Sequence, residues 1–197
     1  MAELLVTMVL LSIVGTMMVT TVTLISRTVV REQATGESLD IARVGMNRMT
    51  KAIRAGTEIP VSGSSNLPAF ASIGPTTMTV YASLGAAPTK IQYSINATRD
   101  LIETQWPADT SNAPYWTFGT TPRVEVIASK IPAGATLFVY NDANGAPVSP
   151  QTTTDTTVLS LVRSVDITAI VNANPAKGAD VTISSTVVLP NLGVVKR

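Results

Sequence analysis

Glu3 is the residue whose surroundings ask most of its chemistry. It stands at the tip of a stretch, Leu4 to Ser26, that carries no charge and is closed by Arg27. A carboxylate at the apolar end of a membrane-length helix is costly unless a cation neutralises it. The nearest cation is the α-amino group of Met1, either its own or a neighbouring copy's. Other reactive chemistry is sparse. The chain has no Cys and no His, which excludes disulfides, thiol catalysis, imidazole proton shuttling and nearly all structural zinc. A Ser nucleophile would need a base, and no spacing ties Lys90, Lys130 or Lys177 to a particular Ser. No catalytic residue is therefore expected.

Three smaller groups could bind something. Asp142, Asn144 and Gly145 place oxygen ligands two residues apart ahead of a Gly, as a calcium loop does. The downstream bidentate acid at EF-hand spacing is missing, so a hairpin turn is the favoured reading and no metal or cofactor is expected. Trp106, Tyr115, Trp116 and Phe118 lie in and beside a long polar loop, Asp109 to Pro122. They form either a surface aromatic patch able to stack on sugar rings or bases, or a satellite core under the loop, the second being favoured. Asn96-Ala97-Thr98 has the pattern of an N-glycosylation acceptor. A net charge of +1 gives no bulk electrostatic case for nucleic acid.

Positioning Glu3 falls to a helix. As a helix, the uncharged stretch reaches ~34 Å, enough for a bilayer's ~30 Å hydrocarbon core. Its Thr and Ser residues can return their hydroxyls to carbonyls one turn back. The flanks are not those of a secretory signal: there is no basic region ahead, the run is too long and no small-residue cleavage pattern follows. From residue 27 the helix turns amphipathic. Leu39, Ala42, Met46, Met49 and Ile53 recur at three- and four-residue steps, while Asp40, Arg43, Asn47, Lys51 and Arg54 fall on another face. The first set is expected to pack on the rest of the chain. Pro60 and the Ser62-Gly63-Ser64-Ser65 run should end the helix near Ile59. Gly15 and Gly36 are soft points within it.

Past the helix, residues 59–77 are turn-rich and read as a loop. Short β-branched or alternating runs follow: Met78 to Ala82, Lys90 to Ile95, Leu101 to Trp106, Val124 to Ile127, Thr136 to Tyr140, Val165 to Val171 and Val181 to Leu189. Asn96 to Asp100 and Asn141 to Gly145 look like hairpin turns. The organisation expected is a 1–26 apolar helix, a 27–58 amphipathic half, a 59–77 loop and a 78–197 antiparallel sheet domain. This makes an α+β fold in which one sheet wraps one helix.

The run Met-Ala-Glu-Leu-Leu-Val-Thr-Met-Val-Leu-Leu-Ser-Ile-Val-Gly at 1–15 resembles the mature amino terminus of type IV pilins and pseudopilins, an acid followed by Leu-Leu-Val and a long apolar run. Further on, Ile91-Gln-Tyr-Ser-Ile95 leading to Leu101-Ile102-Glu103, then Phe138 to Gly145, Val162 to Ile167 and Val187 to Leu192, are similar to the larger minor pilins of W and J type. Two departures stand out. The family's acid is usually the fifth mature residue and here is the third, and Glu103 and Pro190 stand where those minor pilins carry an Arg and a Leu-Arg-Asn ending.

The resemblance implies the type IV pilin fold and a structural subunit, not an enzyme. It implies that a prepilin peptidase and an inner-membrane assembly machinery act on the chain. The chain would reside in the cytoplasmic membrane and then polymerise, with other copies or other pilins, into an extracellular surface filament. Met1, Glu3, Leu4, Leu5, Val6 and Gly15 are the assembly residues it implies, with Glu3 paired to an N-terminal amine. Two alternatives remain at this stage: a minor pseudopilin of a secretion or DNA-uptake system, and a single-pass membrane-anchored surface protein whose β domain binds a ligand.

Overall fold

A computed structural model describes residues 2–172 and 180–190 of the chain. One helix, α1, runs without interruption over Ala2–Arg54. Its two halves obey different rules. From Leu4 to Ile25 the large apolar side chains described are 49–77% exposed, so this half packs on nothing else among the described residues. The second half packs: Ala42, Met46, Met49, Ala52 and Ile53 are buried in the core. Leu39, expected on that stripe, is only half-buried, and Ser38 turns inward in its place, donating from Oγ to the Ala34 carbonyl at 2.8 Å. Small residues hold the inward positions at this end because the helix lies close to the sheet. A Cβ on Gly45 would stand 3.3 Å from that of Ala128.

The helix ends at Arg54, a turn earlier than Pro60 would require. Gly56 donates to the Ile53 carbonyl at 2.9 Å and then leaves the helix to bridge Ala82, so sheet pairing competes successfully for this backbone.

Among the described residues nine strands follow. The first sheet holds β1 (Phe70–Ile73), β2 (Thr77–Ala82), β3 (Thr89–Ile95), β4 (Leu101–Asp109), β5 (Thr117–Phe118) and β6 (Arg123–Ala128). They run antiparallel in the order β1-β2-β3-β4, and β4 shares its far edge between β6 along Leu101 to Gln105 and β5 at Ala108 and Asp109. The second sheet holds β7 (Phe138–Asn141), β8 (Ser164–Val171) and β9 (Val181–Val188), in that order, with a short helix α2 (Thr156–Leu159) before β8. The expected α+β layout, one long helix packed on antiparallel sheet, is the one the chain adopts, with the strands divided between two sheets rather than one. Both rest on α1, with Met78, Val80, Ile91, Tyr93 and Leu101 of the first sheet and Val165, Ile167, Ala169 and Val187 of the second joining it in one core. A single helix has enough circumference to bury two sheet faces, and each sheet needs one face covered.

Two further corrections concern short elements. The 59–77 loop contains β1, whose Phe-Ala-Ser-Ile is too brief to announce itself between turn residues. The 109–122 loop contains a 3-10 turn at Thr110–Asn112 and β5. Asn96 to Asp100 does close the β3–β4 hairpin, with Arg99 at φ 65° and Ile95 opposite Leu101. The Asn141 to Gly145 turn leads only to a bridge between Asn141 and Pro147, and the partner strand of β7 is β8.

Candidate functional site

The candidate site is the free half of α1 together with the junction that fixes the other half to the sheets. Glu3 is exposed in the first turn of the helix. Leu4 and Val6 beside it are exposed, Leu5 lies in the same helical turn, and Met1 lies outside the described residues. At Gly15 no heavy atom comes within 4 Å of where a Cβ would stand, so nothing in the chain itself requires glycine there. The segment is long and apolar enough to cross a membrane, with mean hydropathy 2.2 over its most apolar window.

The threonine hydroxyls of this half are turned back on the helix. Thr7 donates to the Leu4 carbonyl at 2.9 Å, Thr16 to Ser12 at 2.6 Å, Thr21 to Met17 at 2.8 Å and Thr23 to Val19 at 2.7 Å, and Thr20 bonds the Thr16 carbonyl. A donor satisfied by its own helix can enter an apolar medium without the penalty of an unpaired hydroxyl. The helix thereby presents an outer surface chemically closer to hydrocarbon than its composition implies.

At the junction, one cation reaches two strands. Arg48 places Nη2 2.6 Å from Glu125 Oε1 on β6 and Nη1 3.7 Å from Glu103 Oε1 on β4. Glu103, only 4% exposed, also accepts from Tyr93 Oη at 2.9 Å and Gln105 Nε2 at 2.5 Å. The alternation of β3 and β4 puts Tyr93 and Glu103 opposite each other on the inner face, so a carboxylate faces the core and must be satisfied there. The Arg48 hydrogen bond holds the Glu125 carboxyl below the usual carboxylate range, while burial, reinforced by Glu103, pushes the Tyr93 phenol well above its ordinary value. Of this junction the sequence names only Glu103, as a departure from the family pattern, and not its partners. The available signal is Glu103 itself, an acid two residues after Leu101 on the inward side of its strand run.

The remaining sequence candidates separate. Asp142 uses its carboxylate inside its own turn, accepting from the backbone N–H of Asn144 at 2.8 Å and of Ala146 at 2.9 Å. These bonds hold its carboxyl below the usual range, and Gly145 completes the turn at φ 78°. Asn96 accepts from the Asp100 N–H at 2.7 Å, tying its side chain into the hairpin. Tyr81, Lys90 and Trp106 stand opposite one another across β2, β3 and β4, so of the four aromatics Trp106 lies in that row and Phe118 borders it. Phe118 stacks on Tyr81 with centroids 5.2 Å apart, Lys90 sits 5.2 Å over the ring of Trp106, Trp116 is half-buried and Tyr115 is exposed. Among the described residues no group of three or more Asp and Glu side chains is placed to hold a metal ion.

Compared with family models and with curated proteins, the sequence finds no match.

Proposed function

We propose that the chain is a structural subunit of a type IV pilus or a related extracellular filament, built by bundling the first halves of α1 from many copies. The observation that carries the reading is the contrast within one unbroken helix: its second half is a core element, while its first half has apolar side chains on every side and no cover among the described residues. In water each large side chain at that exposure forgoes about 1 kcal/mol of burial. Packing helices together recovers it. Glu3 supports the reading because a carboxylate at the tip of such a rod gains from a cation at the same depth, and the α-amino group of another copy supplies one. The resemblance of residues 1–15 to pilin amino termini points the same way. Before assembly the segment resides in the cytoplasmic membrane, and the sheet domain faces outward in the filament. The role is mechanical and needs no catalytic group.

Electron microscopy of sheared surface material, with mass spectrometry of the fibres, tests the proposal directly. Fibres containing this chain are expected, and Glu3→Ala is expected to abolish them while leaving the protein in the membrane. The competing reading is a single-pass anchor for a ligand-binding sheet domain, favoured by the self-satisfied Thr hydroxyls, which suit lipid as well as partner helices. Under it, Glu3→Ala changes little. Fibres unaffected by Glu3→Ala would remove Glu3 from assembly, and absence of fibres together with lipid-free protein that never polymerises would overturn the filament reading.

A further inference from the structure

On the side turned away from the core, β2, β3 and β4 carry two rows of side chains in register. In the first, Tyr81, Lys90 and Trp106 stand opposite one another. Lys90 Nζ lies 5.2 Å over the Trp106 ring, and Phe118 of β5 stacks on Tyr81 with centroids 5.2 Å apart. In the second row, two residues along each strand, Thr79, Gln92 and Thr104 align in the same way. Ser72 donates to Thr79 Oγ1 at 2.9 Å. Gln92 and Thr104 are half-buried, and among the described residues their side chains make no hydrogen bond and no carboxylate pairs with Lys90. At the outward positions of these three strands Lys90 is, among the described residues, the one charge. The acids of β4 alternate to the other side and are engaged there, Glu103 by Tyr93 Oη at 2.9 Å and Asp109 by the Ser111 N–H at 2.9 Å. A face made only for water mixes charges of both signs. This one sets a lone cation beside aromatic rings and free hydrogen-bonding groups.

We propose that this face binds an acidic glycan, seating a uronic-acid residue with its C–H face on Trp106, its carboxylate at Lys90 and its hydroxyls toward Gln92 and Thr104. The inference goes beyond the filament reading and does not depend on it, because it concerns the sheet domain of a single copy. A sugar acid has three kinds of surface, an apolar ring face, a rim of hydroxyls and a carboxylate, and the two rows answer each of them. The cation–π contact keeps the ammonium beside the stacking surface. Strands ~4.8 Å apart, with outward residues ~6.8 Å apart along each, make the rows a platform of roughly 10 by 7 Å, suited to a short stretch of sugar chain lying flat. β2, β3 and β4 all have paired neighbours on both sides, so the platform is formed in advance and little ordering is needed on binding. Single-stranded nucleic acid also stacks on aromatic rings, but it needs cations tracking its phosphates, and one Lys makes no track.

The test uses the full chain, unpolymerised, in a detergent without a sugar headgroup. A Trp116→Phe background leaves Trp106 as the one tryptophan reporter. Titration with oligogalacturonate is expected to change its fluorescence saturably, while a neutral malto-oligosaccharide of equal length binds about fivefold more weakly, the share of one partly exposed charge pair. By calorimetry, Trp106→Ala is expected to weaken oligogalacturonate binding about tenfold through the lost stack, and Trp106→Phe to restore most of it. Lys90→Gln should remove the preference for the acidic sugar, and Lys90→Arg should keep it. Should Trp106→Ala lower the thermal midpoint, Lys90→Gln and Gln92→Ala carry the test, since both replace half-buried side chains at the surface of the sheet. Absence of saturable oligogalacturonate binding, or equal binding by Lys90→Gln and the parent, would overturn the assignment. Tighter binding of oligothymidylate than of oligogalacturonate would overturn it in favour of a nucleic-acid surface. No fibre enters the assay, so these results leave the filament reading to its own test.

Discussion

Replacing Arg48 by Met keeps the aliphatic stem against the sheet and removes the charge that bridges α1 to both β4 and β6. Breaking a buried ion pair from one side costs about 3–5 kcal/mol, because the surviving charge is stranded. Here the stranded carboxylate is Glu103, 4% exposed, while Arg48 itself is 39% exposed and Glu125 is partly in water. Solvent therefore already weakens the pair, and Tyr93 and Gln105 still donate to Glu103. The expected loss is about 2 kcal/mol. With a urea slope near 2 kcal/mol per M, the midpoint falls by about 1 M. The assay is urea unfolding of the full chain in mild detergent, followed by the fluorescence of Trp106 and Trp116, which both lie in the sheet domain. Glu103→Gln in the Arg48→Met background is expected to recover about 1 kcal/mol, since an amide oxygen still accepts from Tyr93 and no charge is left behind. A loss under about 0.5 kcal/mol for Arg48→Met, or additivity of the two changes within about 0.4 kcal/mol, would refute the account of the junction.

Two other outcomes follow from the same geometry. Gly56→Ala would bring a Cβ 2.8 Å from the Ile53 carbonyl and 3.0 Å from Leu189 Cδ2, so the helix end must shift; a loss of about 1–3 kcal/mol is expected in the same unfolding assay, and an unchanged midpoint would show that this exit from the helix is soft. Glu125 and Asp142 have folded-state values held down by Arg48 and by backbone N–H groups respectively, so each contributes stability that is complete above the ordinary carboxylate range and is lost as pH falls through the lowered value. Thermal midpoints measured across that acid window should decline less steeply in Asp142→Asn than in the parent, and an identical decline would remove Asp142 from the acid response.

The strands show how far the sequence could be read. Lys90 to Ile95 and Leu101 to Trp106 are legible because alternation and the Asn96 to Asp100 turn act over a few residues, and the structure extends those runs only slightly, to Thr89–Ile95 and Leu101–Asp109. β1 and β5 are not legible, since four- and two-residue strands owe their state to a neighbour's open edge. At the candidate site, the exposed apolar half of α1 and Glu3 follow from residue types alone. Arg48 does not, because its partners lie 55 and 77 positions away along the chain and are brought to it only by the antiparallel stacking of β4 and β6.

The sequence by itself determined that a long helix changes character near residue 27, because helical periodicity and the absence of charge are properties of neighbouring residues. It also determined that strands of core-facing alternation follow, for the same reason. Only the tertiary structure decided that the strands divide into two sheets on one helix and that Ser38, not Leu39, faces inward. It alone decided, too, that Glu103 is buried and answered by Tyr93 and Arg48. Those outcomes depend on which distant segments meet, and close packing lets a small side chain win an inward position wherever two elements approach too near for a large one.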